Sequence, residues 1–170
     1  MAHISNTRLL RINITALLFR LALWAQIALF WIGYWVFKPF AKHVPQHWVI
    51  GVNETANMLK LIGACFDSKS TVLLRMHPYY MNNHYDYNPR FKHALGGYIL
   101  SSLYGPLLLS YLVHKADNFF YIGDEGFFNH MADGRATEFS VLKKLDKRIV
   151  ILFCGSDIRS IDKTIAYAKA

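Results

Sequence analysis

The stretch "HWVIGVNETANMLKLIGACFDSKSTVLLRM" (residues 47–76) reads as strand, helix, strand. Residues 47–52 are a short apolar run rich in β-branched side chains. In residues 53–66, Ala56, Leu59, Ile62, Gly63 and Phe66 recur at helical spacing. Asn53 stands where a cap would accept the first free N–H groups of that helix. Residues 70–76 are again apolar. Two strands joined through a helix run parallel, and parallel sheets are covered on both faces. The strands should therefore read as near-continuous apolar runs, and they do.

Outward from this unit the alternation continues. A polar, tyrosine-rich loop fills residues 77–90, and a long apolar helix over 93–115 follows, with Gly105-Pro106 expected to bend it. Residues 118–123 make a third strand. A helix capped by Thr137 runs to Asp146, residues 148–153 make a fourth strand, and the closing residues read as a last helix. The expected fold class is α/β: a Rossmann-like parallel sheet of about four strands with helices on both faces, in residues 46–170. Residues 1–45 form an N-terminal hydrophobic, membrane-associated helix and a linker broken by Pro39 and Pro45.

Hydrophobic residues make up 54% of the 170, and the excess is concentrated near the N-terminus. Residues 21–37, "LALWAQIALFWIGYWVF", carry no charge. Trp24, Trp31, Tyr34 and Trp35 resemble interface anchors, and basic residues flank both ends. A spanning anchor, a helix lying in the membrane interface and a helix packed in the protein core all fit this run. No small-residue cleavage site follows it, which argues against a signal peptide. The formal charge of +8 favours anionic partners such as lipid headgroups or phosphates. Lys and Arg are scattered rather than striped, so nucleic acid is not favoured as a partner. The two cysteines, Cys65 and Cys154, are far apart with no metal-ligand spacing, and the expectation is two reduced thiols. That places the folded domain on the cytoplasmic side of a membrane.

In a doubly wound sheet every strand-to-helix turn lies at the carboxyl edge. With a strand order 3-2-1-4, the first and fourth strands are neighbours, and a crevice opens between "GVNET" and "CGSD". The candidate ligand-binding residues at this rim are Gly51, Asn53, His77, Gly123, Asp124, Glu125, Gly155, Ser156 and Arg159. Small residues let a ligand approach the backbone, and helix N-termini offer N–H groups to anions. Each has a plainer reading as a strand end, a cap or a solvated loop charge; their convergence is what points to a site. In "YYMNNHYDY", Tyr79 and Tyr80 lead a set of aromatic, Asn, Asp and His side chains suited to stacking on sugar rings and bonding to their hydroxyls. The alternative is a long polar connection packed by its own rings. No G-x-G-x-x-G occurs, so a dehydrogenase is not favoured.

"EFSVLKKLDKRIVILFCGSDIRS" resembles the segment of GT-B glycosyltransferases in which a basic helix leads into a strand and then H-G-S-D-I-R. "HWVIGVNETANMLKLIGACF" and "NFFYIGDEGFF" resemble their first and third strands with the following turns. The resemblance covers residues 44–160. It implies the N-terminal, acceptor-side domain of a membrane-associated enzyme of polysaccharide or glycolipid synthesis, here truncated. It also implies no essential metal or cofactor, and a nucleotide-sugar donor held mainly by a second Rossmann-like domain. The acceptor would be a sugar or lipid-linked sugar, and Asp157 or Glu54 the catalytic base. Cys154 stands where the relatives carry His. Two rival expectations are a non-enzymatic membrane-anchored binding or scaffold module and a small multi-span membrane protein.

Overall fold

Four short strands pair in parallel: β1 (Trp48–Val52), β2 (Lys69–Leu73), β3 (Asn118–Ile122) and β4 (Arg148–Leu152). They belong to a computed structural model that describes residues 6–54, 56–74, 83–90, 95–123, 125–128 and 134–153. The spatial order is β2-β1-β3-β4. Alternation along the strands sends Val49, Val72, Phe119 and Tyr121 into one core. Ile50, Leu73 and Ile122 enter a second core with Leu59. Helix α2 (Met58–Ala64) covers that second face. Helices α3 (Leu95–Lys115) and α4 (Gly134–Lys144) supply Leu109, Leu112, Val113 and Leu142 to the first. The expected α/β architecture, with helices on both faces, is the one observed.

The strand order corrects one expectation. The first and fourth strands are not neighbours: β1 pairs with β2 and β3, and β4 pairs with β3. The reason lies in the tyrosine-rich loop. Tyr87 forms an isolated parallel bridge to Val72 on the outer side of β2. The Leu73 N–H donates to the Tyr87 carbonyl (2.9 Å), and the Tyr87 N–H donates to the Thr71 carbonyl (3.0 Å). Asp86 fastens this segment by accepting from the Thr71 N–H (2.7 Å) and hydroxyl (2.9 Å). With the Tyr87 segment counted, the order becomes that of a doubly wound 3-2-1-4-5 sheet. The neighbour of β1 across the reversal is then β3. One bridge flanked by Asp and Asn offers no apolar run, so its sequence reads as loop.

Two helix starts also move. α2 begins at Met58, after Ala56 and Asn57 adopt left-handed backbone (φ 50° and 63°), so Asn53 does not cap it. α4 begins at Gly134, which puts Thr137 inside the helix. α3 runs through Pro106 as one helix. Gly105 is required there, because a Cβ would lie 2.2 Å from the Phe127 carbonyl oxygen.

Helix α1 (Asn6–Phe37) lies on α3 as an outer layer. Among the described residues, two segments are long and apolar enough to cross a membrane: 15–37, which is mostly exposed, and 96–115, which is half buried. The C-terminal ends of α1 and α3 meet at the amino edge of the sheet. His114 Nε2 donates to the Tyr34 carbonyl (2.8 Å), and the Val44 N–H donates to the Lys115 carbonyl (2.9 Å). Higher up, Gly33 admits the Ser110 side chain, and the Phe30 ring meets Phe128 edge-on at 5.9 Å. Both helices therefore point their N-termini toward the carboxyl edge. A 21-residue helix is about 31 Å long and a five-residue strand about 17 Å. Only Ala116 and Asp117 separate α3 from β3, so the excess of α3 extends past the carboxyl edge.

Candidate functional site at the carboxyl edge

In this sheet the topological reversal lies between β1 and β3, and ligands favour the crevice outside such a point. The chain leaves β1 through Asn53, which is half-buried, and Glu54, which is only 6% exposed. A carboxylate buried to that degree needs hydrogen-bond partners. Glu54 Oε1 accepts from the Leu59 N–H (3.1 Å), supplying the cap for α2. Its Oε2 accepts from the Tyr85 hydroxyl (2.7 Å). Asn83 Nδ2 donates to the Tyr85 oxygen (3.2 Å) and to Asn57 Oδ1 (2.8 Å). The tyrosine-rich loop is thus tied to the turn after β1 by a chain of four polar side chains.

At the end of the neighbouring strand, Gly123 turns the chain out of β3 with φ 75°, and its N–H donates to the Leu152 carbonyl (2.9 Å). Glu125 follows, half-buried, and Phe127 and Phe128 dive back into the core. Glu138 from α4 anchors this return. It is fully buried, accepts the Phe128 N–H at 2.8 Å and accepts the Tyr121 hydroxyl. Burial first, then the Glu138 charge and hydrogen bond, push the Tyr121 phenol well above its usual pKa. Gly126 lies against this carboxylate, since a Cβ there would sit 2.6 Å from Glu138 Oε2.

Among the sequence candidates, Asn53 and Glu54 stand at the end of β1, and Gly123 and Glu125 at the end of β3. Gly51 lies inside β1, where its missing Cβ makes room for the Val72 carbonyl oxygen. Asp124, His77, Tyr79, Tyr80, Gly155, Ser156, Asp157 and Arg159 lie outside the described residues. β4 ends two strands away from β1, so the strand end that adjoins the end of β1 is that of β3 and not that of β4. Sequence reading singled out the loop of Asn83 and Tyr85 without assigning these two a role. It passed over Asn57 and Glu138. A lone Glu on a helix next to Phe139 carries no local signal that it is buried.

The amino edge is polar too, but it is a structural seam. His47 Nδ1 and Nε2 lie 2.8 Å from the hydroxyls of Ser68 and Ser70, and Lys115 Nζ donates to Ser70 (3.0 Å). A shallow cleft of about 270 Å³ between Asp117, Asn118, Asp146, Lys147 and Arg148 opens on this edge, away from the reversal. Among the described residues, no three His, Cys, Asp or Glu side chains converge as a metal set would require. No protein-family model, curated protein or solved structure matches the chain.

Proposed function

We propose that this domain is the acceptor-binding half of a membrane-associated glycosyltransferase that builds a polysaccharide or glycolipid. The observation that carries the reading is the Glu54–Tyr85–Asn83–Asn57 chain beside the β1/β3 reversal. It holds an aromatic, amide-rich loop against the carboxyl edge, where stacking faces and side-chain amides suit a sugar acceptor. The resemblance of residues 44–160 to GT-B enzymes adds the reaction: an acceptor hydroxyl displaces the nucleoside diphosphate of a sugar donor. A second Rossmann-like domain, in a longer chain or a partner, would hold that donor. The apolar α1 and the net charge of +8 support work at a membrane surface; two cysteines without disulfide spacing favour its cytoplasmic side.

Glu54 is better suited to holding the site than to taking a proton. Both its oxygens already accept hydrogen bonds, and it is buried. Asp157 remains the candidate base. This engagement of Glu54 also favours the second reading, a membrane-anchored module that binds saccharide without transfer. Titration of saccharides and lipid-linked saccharides against the protein in nanodiscs, followed by NMR, tests the shared premise. Tyr85→Phe and Asn83→Ala should each weaken binding about tenfold, the effect of losing one or two hydrogen bonds. If no saccharide perturbs the carboxyl edge, both readings fail. Supplying a donor-binding domain and labelled nucleotide sugars separates them, because the module predicts binding with no incorporation.

A further inference from the structure

α1 presents two apolar faces. One meets α3 through Gly33, Tyr34 and Phe37 and reaches Phe128, beyond β3, through Phe30. The other is solvent-exposed. Leu17, Leu21, Trp24, Ala28, Ile32 and Trp35 recur at spacings of three and four residues, which align them on one side of the helix. Leu17 (57%), Trp24 (69%), Ile32 (61%) and Trp35 (65%) are among the most exposed large apolar side chains of the molecule. At 1.5 Å per residue the stripe is about 27 Å long. No acidic residue occurs in α1. Arg20 sits on its flank, roughly 80° around the helix from its centre. Lys38 Nζ lies 5.1 Å from the Trp35 ring centroid, and Lys42 is exposed just beyond. An apolar stripe with tryptophans and cationic flanks fits a lipid surface with anionic headgroups.

We infer that α1 lies in the plane of an anionic bilayer, its outer stripe sunk into the headgroup–acyl boundary, and does not span it. This rests on the membrane association proposed above. The layering decides the orientation. Behind residues 30–37 stands α3, and behind α3 stands the sheet. A helix spanning through residues 15–37 would carry this part of the sheet domain into the hydrocarbon. An in-plane helix buries the same stripe at a depth of about 5–10 Å and leaves the sheet in water. α3 agrees with this placement. The face that receives α1 at Leu107, Ser110 and His114 continues upward as Leu103 and Leu100 with Ile99 beside them, all about half exposed. That half-exposed apolar face suits the same bilayer. The strands then run along the membrane surface, and the carboxyl edge opens sideways at headgroup level. That is the level at which a lipid-linked sugar presents itself.

The test uses the full chain with phosphatidylcholine vesicles, with and without phosphatidylglycerol. Single-tryptophan versions retaining Trp24 or Trp35 are quenched by brominated lipids. The two positions are eleven residues apart, about 16 Å along the helix. Equal, shallow depths are expected; Trp24 near the bilayer centre, about 10 Å deeper than Trp35, overturns the inference. An independent readout keeps all tryptophans. In sealed vesicles an impermeant maleimide should reach Asn6→Cys (in a Cys65→Ser, Cys154→Ser background) from the same side as the natural exposed Cys65. Opposite-side protection overturns the in-plane placement. Replacing Arg20, Lys38 and Lys42 by Gln should lower partitioning onto the anionic vesicles roughly fivefold per charge. Unchanged partitioning sinks the headgroup contact. No binding to either vesicle sinks the inference together with the membrane association on which it rests, whereas binding with the wrong depth or side sinks the orientation alone.

Discussion

Glu138 holds two buried partners, the Tyr121 hydroxyl and the Phe128 N–H. Glu138→Ala would strand both donors where water cannot reach them. The expected loss is about 3 kcal/mol, with Tyr121→Phe costing about 1 kcal/mol. Denaturant unfolding in a mild detergent measures both, and an E138A chain as stable as the parent would refute the anchoring role. His47 makes a pH-dependent contribution. Burial first, then the Lys115 charge, lower its pKa, with Asp86 opposing. The unfolded chain therefore binds a proton at higher pH than the folded one. Stability from this group is complete above about pH 6.5 and falls as pH drops below it. The Tm of the parent should decline between pH 7 and 5 more steeply than that of His47→Gln; equal slopes count against it. None of these residues announces itself locally. Glu138 and His47 are polar letters in unremarkable settings, and their burial comes from elements far away in sequence.

At the scale of elements, α3 shows how one helix meets two environments. Gly105→Ala pushes a methyl against the Phe127 carbonyl, a backbone atom with little room to yield, and should cost about 2–3 kcal/mol. Gly96→Ala meets nothing within 4 Å and should stabilise by about 0.5 kcal/mol through helix propensity alone. Thermal melts of the pair check this: the two shifts should have opposite signs. The four strands and the cover helices were legible because apolar runs and helical spacing are local patterns. The helix starts were less so. Asn53 has the chemistry of a cap, but Ala56 and Asn57 in left-handed backbone set the start of α2 at Met58, and the buried Glu54 carboxylate reaches the Leu59 N–H instead. The edge pairing at Tyr87 was hidden because a single bridge needs backbone groups alone, and those are the same in every residue.

Taken whole, the molecule is layered as sheet, α3 and α1, and α1 covers part of what would otherwise be exposed core. A chain lacking residues 1–37 would uncover Phe128, Ser110 and Tyr111, which now meet Phe30, Gly33 and Phe37. It is expected to aggregate or to bind a hydrophobic dye without detergent. A monodisperse, dye-free truncated domain in plain buffer would show that α1 is an appendage and no part of the fold. By itself the sequence determined the alternation of strands and helices, the α/β class and an N-terminal helix apolar on every side, because each follows from side-chain period and composition. Only the tertiary structure decided which strands adjoin, and with them that the reversal lies between β1 and β3. Backbone hydrogen bonds form equally well between any two strands, so neighbours are chosen by packing across the sheet. The same packing turned Glu54 from a free rim carboxylate into the link between α2 and the tyrosine loop, by burying it between partners that lie five and thirty-one residues away in sequence.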